Sequence, residues 1–280
     1  MEKGILYSTG QLDCLAYYVK IFPKIKNFLK DREIATKTFI PKSNIPFIIH
    51  RGSHDPPLRI QDLLGIKKSF LKLRVGKKLH EVENQLSEKE KLIWRYFSPR
   101  KFVELHYACN YEHPGKPIDR IFIDIDAGKN IKKKTYIEAV KQLLKEIHKD
   151  KELKKLTGFK IYLLWTGASI HLYLMLNKKL PHSAYEKYFA FSEDTLVSKW
   201  ADKISEKLKI KVKAGHERIS NGIILDTSAT PSGKLARCPY SLHLNSKGKL
   251  TGVSVPITES QISEKGFSEL EKLTPDKVLK

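Results

Sequence analysis

The chain has 280 residues, of which 41% are hydrophobic, enough to form a core in one large or two modest domains. Lysine and arginine number 52 against 31 aspartate and glutamate residues, so the formal net charge is +21 at pH 7. This excess predicts a polyanionic partner, and nucleic acid is favoured over a membrane because no stretch approaches the ~20 apolar residues of a spanning helix. The N-terminus shows no signal-peptide pattern. Cys14, Cys109 and Cys238 are far apart and odd in number, which is typical of reduced thiols in the cytoplasm.

The first hundred residues predict mixed α and β structure. Residues 87–96 form the best-defined element, a helix with Ser87 as N-cap and Glu90 completing a capping box. The other expected elements are a helix over 12–29 kinked or broken at Pro23, short strands and turns over 34–51, and a helical stretch followed by a Leu/Val-containing segment over 60–82.

Residues 101–111 (KFVELHYACNY) predict a strand that leads through a Pro/Gly loop into the next strand. Within this region, His106, Cys109 and His113 have spacing that resembles a set of metal ligands. A structural zinc site usually needs a fourth ligand, and no second Cys or His pair stands nearby. Aromatic and thiol packing is therefore the favoured interpretation.

Two carboxylates interrupt the apolar run IFIDIDAGKN, which begins at Ile121 and predicts a buried strand. Asp124 and Asp126 project from the same face of such a strand. Because an ionised carboxylate removed from water is costly without a compensating partner, the pair indicates a hard divalent cation, Mg²⁺ or Mn²⁺. The alternative is a strand end where both side chains face solvent or cap the turn at Gly128.

The following segments alternate helical and extended patterns. A hairpin of strands 159–165 and 170–176, joined by the turn TGAS, is the clearest of them. The others, in chain order, are a long amphipathic helix over 132–156, one or two helices over 182–210, a strand over 222–225 that ends at Asp226, a short strand over 253–255, and a surface helix over about 267–273 that Pro275 ends.

A polar and basic run follows Asp226, and its donors suit triphosphate oxygens. By itself it could equally be an exposed basic loop, just as His171 in the hairpin could be a hydrogen-bonded core histidine. The donors of the run are Lys234, Arg237, Ser241, His243, Lys247 and Lys249.

The order of these motifs is more specific than any one of them. It runs D-x-D, then S-x-H at Ser169 and His171, then the strand-end Asp226, then RCPYSLH from Arg237 to His243. This set resembles the archaeo-eukaryotic primase superfamily. It looks closest to the catalytic small subunit of DNA primases and to primase-polymerases, where the last motif reads R-x-P-x-S-L-H. The segments DREIA and LHYACNYEHPG resemble the earlier parts of that pattern.

The resemblance implies an α+β fold, a mixed α/β catalytic core in which a β-sheet carries the three aspartates and helices pack around it. It implies a single catalytic domain over 1–280, composed of an N-terminal mixed part (1–100), a motif-bearing core (101–257) and a C-terminal helical tail (258–280).

The activity implied is a template-dependent nucleotidyltransferase that synthesises or extends primers on single-stranded DNA from nucleoside triphosphates. Asp124, Asp126 and Asp226 would hold two Mg²⁺ or Mn²⁺ ions, which activate the 3′-hydroxyl and stabilise the leaving pyrophosphate. A primase large subunit, a helicase or a ligase would be the protein partner. The residues expected to bind the nucleotide are Ser169, His171, Lys234, Arg237, Ser241 and His243.

The sequence departs from the primase pattern in two places. The second motif is one residue shorter and lacks a basic residue, and a helix directly follows Gly128 where many primases insert a cysteine-rich zinc module. A minimal primase-polymerase and the polymerase domain of bacterial-type end-joining ligases both fit this shortening. The latter usually lacks the last histidine, so His243 favours the primase. A degenerate protein that only binds single strands and a two-metal nuclease remain alternatives.

Overall fold

The computed structural model describes residues 4–39 and 48–280, so residues 40–47 of the predicted strand-and-turn segment lie outside the description. The chain divides into two compact units. Unit 1 comprises Met1–Ala108, Arg237–Val255 and Leu273–Lys280, and unit 2 comprises Cys109–Ala236 and Pro256–Lys272. The expected single domain over 1–280 stays a prediction. Within the described ranges, no helix is long and apolar enough to cross a membrane.

Groups of helices and groups of strands follow one another along the described chain, which agrees with the predicted α+β class. The helices are α1 (Cys14–Ile25), α2 (Ile60–Leu63), α3 (Lys68–Leu73), α4 (Glu88–Tyr96), α5 (Lys133–Lys149), α6 (Lys151–Leu156), α7 (Ala184–Tyr188), α8 (Leu196–Leu208), α9 (Glu264–Leu270) and α10 (Pro275–Leu279). The strands are β1 (Glu33–Thr38), β2 (Ile48–His50), β3 (Leu58–Arg59), β4 (Glu104–Ala108), β5 (Ile118–Ala127), β6 (Phe159–Trp165), β7 (Ile170–Leu180), β8 (Lys211–Ala214), β9 (Gly222–Asp226), β10 (Leu235–Arg237), β11 (Leu242–Leu244), β12 (Leu250–Val253) and β13 (Val255–Ile257).

In unit 1, helix α1 begins at the N-cap Asp13, whose carboxylate accepts a hydrogen bond from the Leu15 amide at 3.0 Å. The same carboxylate forms a buried ion pair with Arg74, with Nε 2.8 Å from Oδ2. Pro23 lies inside α1 without breaking it, since the helix continues to Ile25. The predicted helix is therefore confirmed. It ends two residues after Pro23 and is not broken at that proline.

The segment 60–82 was expected to hold a helical stretch followed by a Leu/Val-containing segment, and its helical part is divided in the structure. It holds the two short helices α2 and α3, and a 3₁₀ turn at Leu79–Glu81. Gly65 lies between the two helices with φ of 81°, a left-handed conformation that ends helical geometry.

The capping box of α4 is confirmed, since Ser87 Oγ accepts from the Glu90 amide and Glu90 Oε2 accepts from the Ser87 amide.

The sheet of unit 1 is built around β1, which pairs antiparallel with β2, β3 and β4. The register places Lys37 opposite Glu104 and Ala35 opposite His106. Because side chains two apart on a strand share a face, Lys37, Glu104 and His106 lie on one face of this sheet. Strands β11 and β12 form a separate antiparallel pair, with His243 opposite Gly252.

The sheet of unit 2 has the strand order β13-β6-β7-β5-β9-β8. The predicted hairpin of β6 and β7 is confirmed, and β5 pairs antiparallel with both β7 and β9. Strand β8, which runs parallel to β9 at the edge, was not predicted. The central position of β5 explains its apolar run, because a strand flanked on both sides is buried along most of its length.

The predicted long helix over 132–156 is two helices, α5 and α6, separated at Asp150. The Asp150 carboxylate caps α6 by accepting from the Leu153 amide at 2.8 Å, and it also accepts from Trp200 Nε1 at 2.7 Å.

Pro275 was expected to end the C-terminal helix. Instead α9 ends at Leu270, and Pro275 occupies the first turn of α10, where its missing N–H costs nothing.

Candidate active site

The register of three neighbouring strands in unit 2 sets the predicted motifs side by side. Asp124 on β5 pairs with Asp226 on β9 and with His171 on β7. Directly paired residues project from the same face of a sheet, with Cβ atoms about 4.5–5.5 Å apart. Asp126 lies on that face two residues along β5. Asp226, Asp124 and His171 therefore form one row across the sheet, with Asp126 beside it.

Side-chain contacts bind the second motif to Asp124. His171 Nε2 lies 3.4 Å from Asp124 Oδ2, and the Ser169 hydroxyl donates a long hydrogen bond of 3.5 Å to Asp124 Oδ1. The Ser169 amide in turn donates to Thr166 Oγ1 at 2.9 Å, which fixes the turn. Asp124 keeps 25% of its side-chain surface exposed while His171 keeps 8%. The row therefore has a buried histidine behind a carboxylate that reaches solvent.

Asp126 carries a cationic partner that the sequence did not reveal. Arg218 approaches it with both ends of the guanidinium, Nη2 at 2.9 Å from Oδ1 and Nε at 3.4 Å from Oδ2. Burial and the neighbouring Asp124 charge raise the pKa of Asp126, and the Arg218 charge opposes that shift.

Asp226 is held at the end of β9 by a short-range contact, because its Oδ1 accepts from the Ser228 amide at 2.7 Å.

The phenol of Tyr136, on α5, links the backbones of β5 and β7 next to the row. It donates to the Ile125 carbonyl at 2.9 Å and accepts from the Ile170 amide at 2.8 Å. Burial raises the pKa of Tyr136 well above its ordinary value, so the phenol stays protonated and keeps donating.

The donor set of this row fits a hard divalent cation in its chemistry. Three carboxylates share one sheet face, and carboxylate oxygens are the ligands that hard divalent cations prefer. Across residues 4–39 and 48–280, no group of three or more His, Cys, Asp or Glu side chains is gathered closely enough to hold a metal. His106, Cys109 and His113 are likewise not gathered closely enough to hold a metal.

The other predicted nucleotide-binding residues have different environments. Lys234 is exposed in unit 2. In unit 1, the Ser241 hydroxyl is fully buried, accepts from the Leu105 amide at 2.8 Å and donates to the Leu242 carbonyl at 2.9 Å. The hydroxyl therefore bridges two backbone groups of the fold, and a role of Ser241 in nucleotide binding stays a prediction.

Arg237 and His243 in unit 1 both face Glu104, a residue that was not predicted to belong to the site. Arg237 Nη1 lies 2.9 Å from Glu104 Oε1, and His243 Nδ1 lies 4.0 Å from the same oxygen. Glu104 is fully buried. The signal that could have found it is the one used for Asp124, a carboxylate inside an apolar strand.

Comparison with known proteins shows the fold and no closer relationship. No protein-family model matches the chain, and no curated protein matches its sequence. Among solved structures, the chain is similar to the polymerase domain of ligase D from Mycobacterium tuberculosis in complex with DNA. The TM-score is 0.59 at 16% identity, and the match covers 99% of this chain and 90% of that one.

The chain therefore has a mixed α+β fold similar to that of this polymerase domain. At this identity the likeness shows the fold alone.

Proposed function

We propose that this protein is a template-dependent nucleotidyltransferase. The observation that carries the proposal is the row of Asp226, Asp124 and His171 across three neighbouring strands, with Asp126 on the same face. Three motifs that are far apart in sequence are thereby brought to one place in a fold that a polymerase domain also has. Carboxylates and a histidine in this arrangement suit phosphoryl transfer, which depends on positioning and charge compensation more than on a protein nucleophile.

Each residue has a role that follows from its contacts. Asp124, Asp126 and Asp226 would hold Mg²⁺ or Mn²⁺, which activates a 3′-hydroxyl and stabilises pyrophosphate when bound. His171 orients Asp124 through the 3.4 Å contact, and Ser169 supports the other oxygen of the same carboxylate.

DNA and nucleoside triphosphates are the proposed substrates. The net charge of +21 favours a polyanion, and the structural neighbour is itself in complex with DNA. Primer synthesis on single-stranded DNA is the finer proposal, because the segment RCPYSLH ends in His243 as the primase motif does. Extension of a supplied strand, of the kind carried out by end-joining polymerases, is the second candidate, which the likeness to the ligase D polymerase domain favours.

The test compares DNA binding with DNA synthesis in the same preparations. Wild type, Asp124→Ala and the control Asp119→Asn are assayed for binding of a single-stranded template and for labelled-nucleotide incorporation with Mg²⁺ or Mn²⁺. Asp119 lies on the same strand, is about as buried as Asp126 and also pairs with an arginine, at 3.0 Å from Arg120 Nε. We expect Asp124→Ala to lose synthesis and keep binding, and Asp119→Asn to keep both.

Products from an unprimed template would support primer synthesis, whereas products only from a primed template would support strand extension. Tight binding by the wild type with no synthesis under either metal would contradict the enzymatic proposal and favour a degenerate binding protein.

A further inference from the structure

A groove of about 530 Å³ in unit 2 is lined by the start of β6 and by residues of α5 and α6. Phe159 and Leu164 lie five residues apart on β6, and Leu164 pairs with His171. Because side chains alternate along a strand, Phe159 and Ile161 project from the sheet face opposite Asp124 and His171. We call this cavity the Phe159 groove. Its lining includes His148, Lys154, Phe159, Lys160, Ile161 and Asn177.

The floor of the Phe159 groove is apolar and partly open to solvent. Further along the same face of β6, Leu163 and Trp165 are buried. Phe159 and Ile161 are only half-buried, so part of each side chain faces the groove. An accessible aromatic ring can stack on a nucleobase, and such stacking tolerates any base because every base has a flat face. The floor therefore suits a flat, unpaired base.

The charges around this floor favour an anion. Lys154 and Lys160 are exposed at the groove, against the lining carboxylate of Glu259. That carboxylate has a partner of its own, since Oε1 lies 3.3 Å from His148 Nε2. The positive charge that the groove presents to a ligand is therefore that of the two lysines. A strand of nucleic acid offers both complements, phosphates for the lysines and bases for the ring.

We propose that the Phe159 groove binds single-stranded DNA, with one base stacked on Phe159 and the flanking phosphates bound by Lys154 and Lys160. A single strand fits this lining better than a duplex, in which the bases are already stacked on one another. Because the groove lies on the face opposite Asp124 and His171, it would hold a part of the strand other than the reacting end. The choice of DNA as the nucleic acid rests on the proposed function.

Photo-cross-linking locates the strand directly. An oligothymidylate that carries 5-iododeoxyuridine is irradiated with the full chain, without divalent metal or nucleotide, and the adducts are mapped by mass spectrometry. We expect an adduct at Phe159 in the wild type, because the iodinated base couples to an aromatic side chain stacked on it. The adduct at this position should disappear in Phe159→Leu, whereas Phe159→Tyr keeps a ring and should still form one.

Affinity for the same oligonucleotide is measured by fluorescence anisotropy over a range of salt concentrations. We expect Phe159→Leu to bind about fivefold more weakly and Phe159→Tyr to bind as the wild type does. Lys154→Gln and Lys160→Gln should each reduce the slope of log affinity against log salt by about 0.7, because each removes one phosphate contact. The control Lys265→Gln changes an exposed lysine of the same unit outside the groove and should keep the slope.

A wild type without an adduct at Phe159 would overturn the proposal, as would equal affinities of Phe159→Leu and Phe159→Tyr. An equal change of slope in Lys265→Gln and in the two groove lysine variants would overturn it too. Because no turnover is measured, a protein that cross-links at Phe159 yet makes no DNA would refute the proposed function alone. A protein that makes DNA but forms no adduct at Phe159 would refute the groove proposal alone.

Discussion

Replacing Asp126 with asparagine should stabilise the metal-free protein while it abolishes synthesis. Asp124 and Asp126 lie two residues apart on one face of β5, about 6–7 Å along the strand. At an effective dielectric constant of about 20, two like charges at that distance repel by about 2–3 kcal/mol. The variant also loses the ion pair with Arg218, whose side chain is 75% exposed, and an exposed pair contributes only ~0.2–1 kcal/mol. The net expectation is a gain of about 1–2 kcal/mol.

The assay is thermal and urea unfolding of wild type, Asp126→Asn and the control Asp119→Asn, in chelator and at neutral pH. A gain of this size corresponds to a Tm increase of a few degrees. Asp119 lacks a carboxylate two residues on, where Ile121 stands, so its variant should gain no stability. Added Mn²⁺ should raise the Tm of wild type more than that of Asp126→Asn. A fall in the Tm of Asp126→Asn would refute the reasoning that the site stores like-charge repulsion.

Three further outcomes are expected. Tyr136→Phe should destabilise the protein by about 2–4 kcal/mol in urea unfolding, because it leaves a buried N–H and a buried carbonyl without their partner. Burial alone would raise the pKa of Glu104, but Arg237 and the other neighbours of Glu104 lower that pKa. The ionised carboxylate therefore stabilises the protein above the ordinary glutamate pKa. This stabilisation is lost as the pH falls through the lowered pKa. The Tm difference between wild type and Glu104→Gln should therefore shrink on acidification, and a constant difference would contradict this. Arg218→Gln should tighten Mn²⁺ binding about two- to fivefold in titration calorimetry, because the guanidinium no longer competes for Asp126; weaker binding would show that Arg218 assists the cation.

Local signals in the sequence predicted most of the elements of the fold. The capping box at Ser87, the hairpin around TGAS and the apolar run of β5 depend on neighbours within a few residues, and the structure confirms each of them. One error came where a side chain acts at long range. Asp150 divides a continuous helical pattern because it also receives a hydrogen bond from Trp200, fifty residues away.

The site could be predicted only in part, because some of its contacts join residues that are far apart in sequence. A carboxylate in an apolar strand is visible in sequence, and so is a motif order that resembles a known superfamily. The register that sets Asp124 between Asp226 and His171 is a tertiary property. Arg218 could not be identified as the partner of Asp126, because it stands in a polar loop 92 residues away.

The most direct test of the account is labelled-nucleotide incorporation on a primed template by wild type, Asp226→Asn and Asp119→Asn, with Mn²⁺ present. Asp226 is brought to Asp124 only by the pairing of β5 with β9. We expect Asp226→Asn to lose nearly all incorporation and Asp119→Asn to keep it. Unchanged incorporation by Asp226→Asn would contradict the assignment of this row as the active site.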